Sequence, residues 1–219
     1  ILPVVPMFHA NAWGVPFAGA MTGAKLVFPG PNMAPDVLLG LMADERVTVA
    51  EGVPTIWLGI LNLLDQNPDK WDLSAVRSTL VGGSAAPPAM IDGFQKRHNI
   101  PVMHAWGMTE MSPIGTLARV KRSLAEGATD AEILAVKSTQ GYPAPLVDIR
   151  HVDDQDNVLP WDGQTMGELE VRGPWVAASY YNNDEQQDKF TADGWFRTGD
   201  IVTVNSEVYI TITDRSKDV

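Results

Sequence analysis

The 219-residue sequence contains no cysteine. That excludes disulfides, a thiolate metal site and a cysteine nucleophile, and it fits a reducing, cytoplasmic compartment. No apolar run reaches the ~18 residues that a membrane-spanning helix needs, so no integral membrane segment is expected. No signal peptide is visible. Basic residues are scarce: 16 Lys and Arg stand against 27 Asp and Glu, for a net charge of −11. A surface of that sign repels nucleic acid and anionic membranes, so no nucleic-acid partner is expected. No internal repeat or low-complexity segment occurs. The chain opens at Ile1, inside an apolar run and without Met, and is expected to be a piece of a longer protein. What remains is ordinary for a globular protein, 45% hydrophobic and 20% charged, and long enough for one large or two small cores.

Strand signals at 1–5, 25–28, 47–52, 78–81 and 102–105 alternate with helix signals at 12–21, 34–45, 54–64 and 88–98. This rhythm predicts a parallel sheet with helices on both faces. Ligands of such sheets sit beyond the carboxyl ends of strands, where residues 82–83 and 106–110 fall. After Leu117 the pattern changes to a polar stretch with a short helix. Short strand signals follow at 147–152, 167–172, 201–204 and 208–212, punctuated by Asp-Asn, Asp-Gly and Gly-Pro pairs. They predict a small antiparallel subdomain, a distorted β-barrel. The expected fold is α/β followed by mostly β, with residues 1–135 as the α/β subdomain and 136–219 as the β subdomain.

The stretch HAWGMTEMSP, residues 104–113, concentrates the chemistry. Trp106 offers a flat face for a base, and Gly107 lets backbone approach a ligand closely. Thr109 can donate to a phosphate oxygen, and Glu110 is a hard oxygen ligand for magnesium. A strand ending in a helix capped by Thr109 accounts for the same residues. In PMFHANAWG, His9 and Trp13 lie four apart and share a face if helical; His9 as a cap and Trp13 as core is the alternative. LVGGSAAPP, residues 80–88, is glycine-rich but lacks the Gly-Lys-Ser/Thr of a Walker loop, and on its own is read as a tight turn before a capped helix. In DGWFRTGD, residues 193–200, Asp200 is an acceptor-only carboxylate that suits a vicinal diol.

HAWGMTEMSP resembles the Tyr/Trp-Gly-x-Thr-Glu motif of the adenylate-forming superfamily: acyl-CoA synthetases, peptide-synthetase adenylation domains and luciferases. GELEVRG, DGWFRTGD and DRSKD follow in that superfamily's order, so the resemblance spans nearly the whole chain. It implies that Gly83, Ser84 and Ala85 lie beside adenine and the acyl chain, where a Cβ would clash with the ligand. It implies that Trp106, Gly107 and Met108 flank the nucleotide, that Thr109 and Glu110 are catalytic with Glu110 on Mg2+, and that Asp200 and Arg215 fix the ribose. Lys217 matches the hinge to a small C-terminal domain. His9 and Trp13, with Gly83, would border the acyl pocket. Amino-acid-activating relatives often carry Asp where His9 stands, and a buried ammonium without that anion would be costly. Ser179 stands before Tyr180 where Gly is usual, in an element that is structural.

The resemblance implies a fragment of an ATP-dependent acyl-CoA synthetase, cut between its phosphate loop and its lid lysine. ATP, Mg2+ and CoA would be its cofactors and a small carboxylic acid its substrate. FHANAWG with HAWGMTEMSP most resembles the medium- and long-chain fatty-acyl-CoA ligases and the methylmercaptopropionate-CoA ligase type. The rival readings are an adenylation domain that loads a carrier protein and, for the chain alone, a non-catalytic nucleotide-binding fragment. Val4, Val5, Val15 and Phe17 are expected on an apolar face left uncovered, which favours a homo-oligomer.

Overall fold

The computed structural model describes residues 1–183 and 188–215, the last two by backbone alone. Lys217 lies outside the described residues, as does the side chain of Arg215.

Four short strands, β1 (Leu2–Val4), β2 (Val49–Gly52), β3 (Ser78–Val81) and β4 (Val102–Gly107), pair in parallel in chain order. Three crossover helices, α3 (Pro35–Asp44), α4 (Pro54–Gln66) and α5 (Pro88–His98), pack side by side. Each starts with proline in its first turn, where the missing N–H costs nothing. The residue before each proline, Ala34, Val53 or Pro87, is held extended by the ring behind it. α5 closes on Asn99 in the left-handed region, with Lys96, Arg97 and His98 in its last turn beside the negative end of its dipole. Leu38, Leu39 and Met42 of α3, Trp57, Ile60 and Leu64 of α4, and Ile91 and Phe94 of α5 bury against Leu2, Val4, Ala50, Val81 and Val102. Trp57 also donates Nε1–H to the Gly52 and Leu80 carbonyls, both at 3.1 Å.

Several details depart from the sequence expectations. The sheet is mixed: β5 (Ile114–Leu117) runs antiparallel to β4, and β6 (Tyr142–Pro143) antiparallel to β5. Residues 25–28 form no strand; only the Lys25 carbonyl and the Val27 N–H reach Ile1 before Pro29-Gly30 turns the chain. The helix expected at 12–21 divides in two. Pro16 fixes the start of α2 (Val15–Met21), and the turn before it, α1 (Ala10–Trp13), has φ of +45° to +54°, one turn of left-handed helix. Val4 and Val5 are buried and Val15 half-buried, whereas Phe17 is exposed together with Met7, Phe8, Met21 and Phe28.

The chain then forms α6 (Arg122–Ala125) and α7 (Asp130–Ser138), the latter opened by a capping box between Thr129 and Glu132. The strands β7 (Asp148–Val152), β8 (Gly167–Arg172), β9 (Phe196–Val204) and β10 (Ile210–Arg215) make an antiparallel sheet in the order β10-β9-β8-β7. Register shifts in β8–β9 and β9–β10 supply the expected distortion. Among the described residues the ladder is an open sheet and not a closed barrel. β9 begins five residues earlier than its apolar run because FRTGD belongs to it. β10 begins at Ile210, because Val208 takes a left-handed turn at φ +69°. A second core, with Met111, Leu169, Val171, Phe196, Val202 and Ile210, lies under this sheet. The two sheets meet where Ile210 exchanges backbone bonds with Gln140 and Gly141.

Candidate functional site

Two clefts open at the carboxyl end of β4 and share one wall. The first, of about 280 Å³, is lined by His9, Trp13, Leu80, Gly82 and Gly83 on one side. The second, of about 570 Å³, is lined by Gly83, Ser84, Ala85, His104, Tyr180 and Asp200. Residues 105–108 and Glu110 face both. The structure therefore brings together every sequence-nominated residue whose side chain it describes, with Thr109 exposed on the first cleft only.

Trp106 is not an open platform. It is 8% exposed and rests against Gly115, where an added Cβ would meet its ring at 2.4 Å. Its Nε1–H donates to Asp200 Oδ2 at 2.8 Å. This charge-assisted bond joins β4 of the first sheet to β9 of the second. The Asp200 backbone is set in turn by its N–H to Thr198 Oγ1, 3.1 Å, while the Thr198 hydroxyl donates to the Leu169 carbonyl, 2.8 Å. Arg215 is the strand partner of Asp200 across β9–β10.

Glu110 lies in a 3-10 turn, Thr109–Met111, whose cap position falls to Met108; Thr109 is therefore not the cap. Its carboxylate accepts the Tyr180 hydroxyl at 2.6 Å, and its backbone carbonyl accepts the Ala177 N–H at 2.7 Å. Burial first, and then this bond, push the Tyr180 hydroxyl up to about 12, so it stays a donor throughout the neutral range. Gly107 is dictated from within: a Cβ there would lie 2.0 Å from the Pro113 carbonyl oxygen, which also accepts the Met108 N–H.

On the other wall, Gly83 has φ +82°, a conformation glycine takes without strain, and Gly82 has the Trp13 ring 3.2 Å from where a Cβ would stand. Trp13 thus packs over the glycine turn at the end of β3. His9 is exposed at the mouth of the first cleft and makes no capping bond to α1.

Two contributors escaped the sequence reading. Tyr180 lies 70 residues from Glu110 in the chain. His104, inside the nominated motif itself, is 2% exposed, bonds the Thr139 carbonyl through Nδ1 at 2.8 Å, and touches the backbone of Ser84. Burial holds its imidazole below its usual value. Its place within the strand signal at 102–105, next to an apolar run, was the available signal.

The family described as AMP-binding enzyme matches residues 1–181. Over 221 residues the chain is 46% identical to a 3-methylmercaptopropionyl-CoA ligase of Ruegeria pomeroyi, covering all of this chain and 40% of that protein. It is 43% identical to a medium-chain-fatty-acid–CoA ligase of Ectopseudomonas oleovorans and 42% identical to a long-chain-fatty-acid–CoA ligase of Thermus thermophilus, covering all of this chain and 39% and 40% of theirs. The chain thus spans about 40% of the length of these curated relatives. Among solved structures, the N-terminal domain of FACL13 from Mycobacterium tuberculosis superposes with a TM-score of 0.79 at 28% identity, covering 98% of this chain and 50% of that one. An o-succinylbenzoate CoA synthetase from Bacillus subtilis, solved with ATP and magnesium, shares the fold with a TM-score of 0.80 at 22% identity, covering 100% of this chain and 42% of that one.

Proposed function

Because this chain belongs to the AMP-binding enzyme family, we propose that it is part of a longer ATP-dependent acid–thiol ligase and carries that enzyme's acyl and nucleotide clefts. In the proposed reaction an acid carboxylate attacks the α-phosphorus of ATP and expels pyrophosphate. The thiolate of CoA then attacks the acyl carbon and releases AMP. The first cleft holds the acyl chain and the second the nucleotide. Residues 1–135 form the first cleft, and they share the lining of the second with 136–219.

The observation that carries this reading is the wall shared by the two clefts, with Glu110 on both of them. It puts a carboxylate where an acyl carboxyl and an α-phosphate would meet, which is how positioning lowers a bimolecular barrier. Thr109, on the first cleft only, would reach phosphate oxygens where that cleft meets the shared wall beside Glu110, and Asp200, held by Trp106, would receive the ribose hydroxyls. Arg215 and Lys217 are proposed for the ribose and the hinge. Among the described residues no three acidic or histidine side chains gather into a metal cage. Magnesium here would rest on Glu110 and substrate oxygens, which suits an ion that takes one or two carboxylates plus phosphates. When bound it neutralises phosphate charge, and Tyr180 keeps the Glu110 carboxylate in place for it.

The substrate class is proposed to be a medium- or longer-chain acid without an α-ammonium group, supported by the apolar first cleft and by His9 at its mouth. The test is a pyrophosphate-exchange screen of carboxylic acids on the full-length protein, with and without CoA. Exchange driven by aliphatic acids, with Asp200→Ala raising KM for ATP, is expected. Exchange with none of them, or with amino acids alone, overturns the reading.

A further inference from the structure

Glu51 is a buried acid that the proposed reaction leaves unused. It sits on β2 between β1 and β3, is 1% exposed, and neither carboxyl oxygen has a hydrogen-bond partner among the described residues. Burial pushes it up to about 8, so near neutrality it is a carboxylic acid with one O–H to donate and lone pairs to accept with. A polar group held this way costs stability.

Its direction follows from the register. Leu2, Val4, Ala50, Val81 and Val102 belong to the core under α3, α4 and α5. Side chains alternate along a strand, so Glu51 and its strand partners Pro3 and Leu80 point to the opposite face. That face carries the first cleft, which Leu80, Gly82 and Ala105 line. Glu51 is therefore Leu80's neighbour one strand further in, about 4.8 Å across the sheet. At about 280 Å³ the cleft is at the small end of the range for ligand sites. Glu51 itself does not line the cleft; it stands one strand behind the lining residue Leu80, where an occupant that outgrows the cleft along the sheet would reach it.

We propose that Glu51 is the polar far end of the acyl pocket, and that the acid held there ends in a hydrogen-bonding group, a hydroxyl or ether-like heteroatom, and not in a plain methyl. The proposal rests on the assignment of the first cleft to the acyl chain. A neutral donor-acceptor terminus satisfies the lone carboxyl without creating charge. A methyl terminus leaves it unpaired beside the ligand, and sites built around a polar partner discriminate strongly against analogues that lack it.

The test uses the full-length protein with hexanoate, 6-hydroxyhexanoate and 6-aminohexanoate, in wild type, Glu51→Gln and Glu51→Leu. Wild type should prefer the hydroxy acid over hexanoate by roughly tenfold or more in kcat/KM, mostly through KM. Glu51→Gln, which keeps a donor and an acceptor, should retain the preference, and Glu51→Leu should reverse it. Leu should fold at least as well, because it removes a lone buried carboxyl. An unchanged ratio in Glu51→Leu, or a wild-type preference for the amino acid, overturns the proposal. Calorimetric binding of the same acids without ATP separates the two levels of inference. If no acid is turned over, the ligase reading falls. Tighter binding of the hydroxy acid, lost in Glu51→Leu, would still support the Glu51 pocket, whereas equal affinities or no binding would overturn it too.

Discussion

Replacing Trp106 by phenylalanine keeps a ring against Gly115 and removes the N–H that Asp200 accepts. A charge-assisted bond of this kind contributes about 1.5–3 kcal/mol, so Trp106→Phe should raise the full-length enzyme's KM for ATP by roughly tenfold to a hundredfold. An unchanged KM would detach this pair from nucleotide binding. Tyr180→Phe should act on the other carboxylate, shifting the magnesium titration to higher concentration while KM for the acid holds. Glu51 gives a third expectation, in stability. Its folded value of about 8 lies above the ordinary 4.5, so the folded state binds the extra proton between those limits. The contribution is full below about pH 4.5 and is lost as pH rises toward 8, a change of a few kcal/mol. His104, held low by burial, acts in the opposite sense near its usual value of 6.5. The difference between wild type and Glu51→Gln in urea unfolding at pH 5 and pH 8 isolates the Glu51 part, and equal differences at both would refute it. At this scale the sequence nominated residues that the structure gathers at the two clefts, and it did not show their partners. The types at 106–110 were nominated from ligand chemistry, whereas the structure gives Trp106 and Gly107 packing reasons of their own in Gly115 and Pro113. The Trp106–Asp200 and Glu110–Tyr180 bonds span 94 and 70 residues, and no local pattern encodes them.

Among elements, those with their own punctuation were legible. α3, α4 and α5 each announce themselves with a proline and an apolar stripe, and β3 and β8 were found at their observed limits. α7 is fixed by its capping box, and Thr129→Ala should cost it about 1 kcal/mol, read as a lowered urea midpoint. β5 was not legible. Its four residues, IGTL, include a glycine, and they form a strand because the edge of β4 offers partners and the Trp106 ring leaves room only for Gly115. The left-handed turn at 10–13 was hidden too, since alanine favours the right-handed helix wherever Pro16 and the packing of Trp13 do not intervene. Trp57→Phe should cost about 1–3 kcal/mol, because the carbonyls of Gly52 and Leu80 both lose a buried donor. A loss confined to a few tenths would mean that they find other partners.

Over the whole molecule, large apolar side chains open to solvent fall mainly in two stretches: Met7, Phe8, Phe17, Met21 and Phe28 near the beginning, and Leu146, Val158, Trp161, Met166 and Tyr181 in the second half. Surfaces of that kind seek a cover. The 219-residue chain alone should therefore self-associate, and light scattering on Phe8→Ser with Phe17→Ser should show a smaller species than wild type. The same isolated chain, about 40% of its relatives' length, should release no pyrophosphate from ATP with octanoate and CoA. Sustained release, absent in Glu110→Ala, would show that this part suffices. The two-sheet architecture was foreseeable because periodicity changes near the middle of the sequence, but the way the sheets meet was not, for the long-range reason that hid the Asp200 bond. That bond also sets a clock on synthesis. A ribosome adds about 5–20 residues per second, so the 94 residues between Trp106 and Asp200 take roughly 5–20 s to make. Through that interval the indole N–H has no Asp200 to meet, and the second cleft has only one of its two sides. A ligand of that cleft cannot guide the early folding of this chain, and a newborn molecule stalled after Pro143 and before Asp200 is one whose first sheet is complete and whose second cleft does not yet exist.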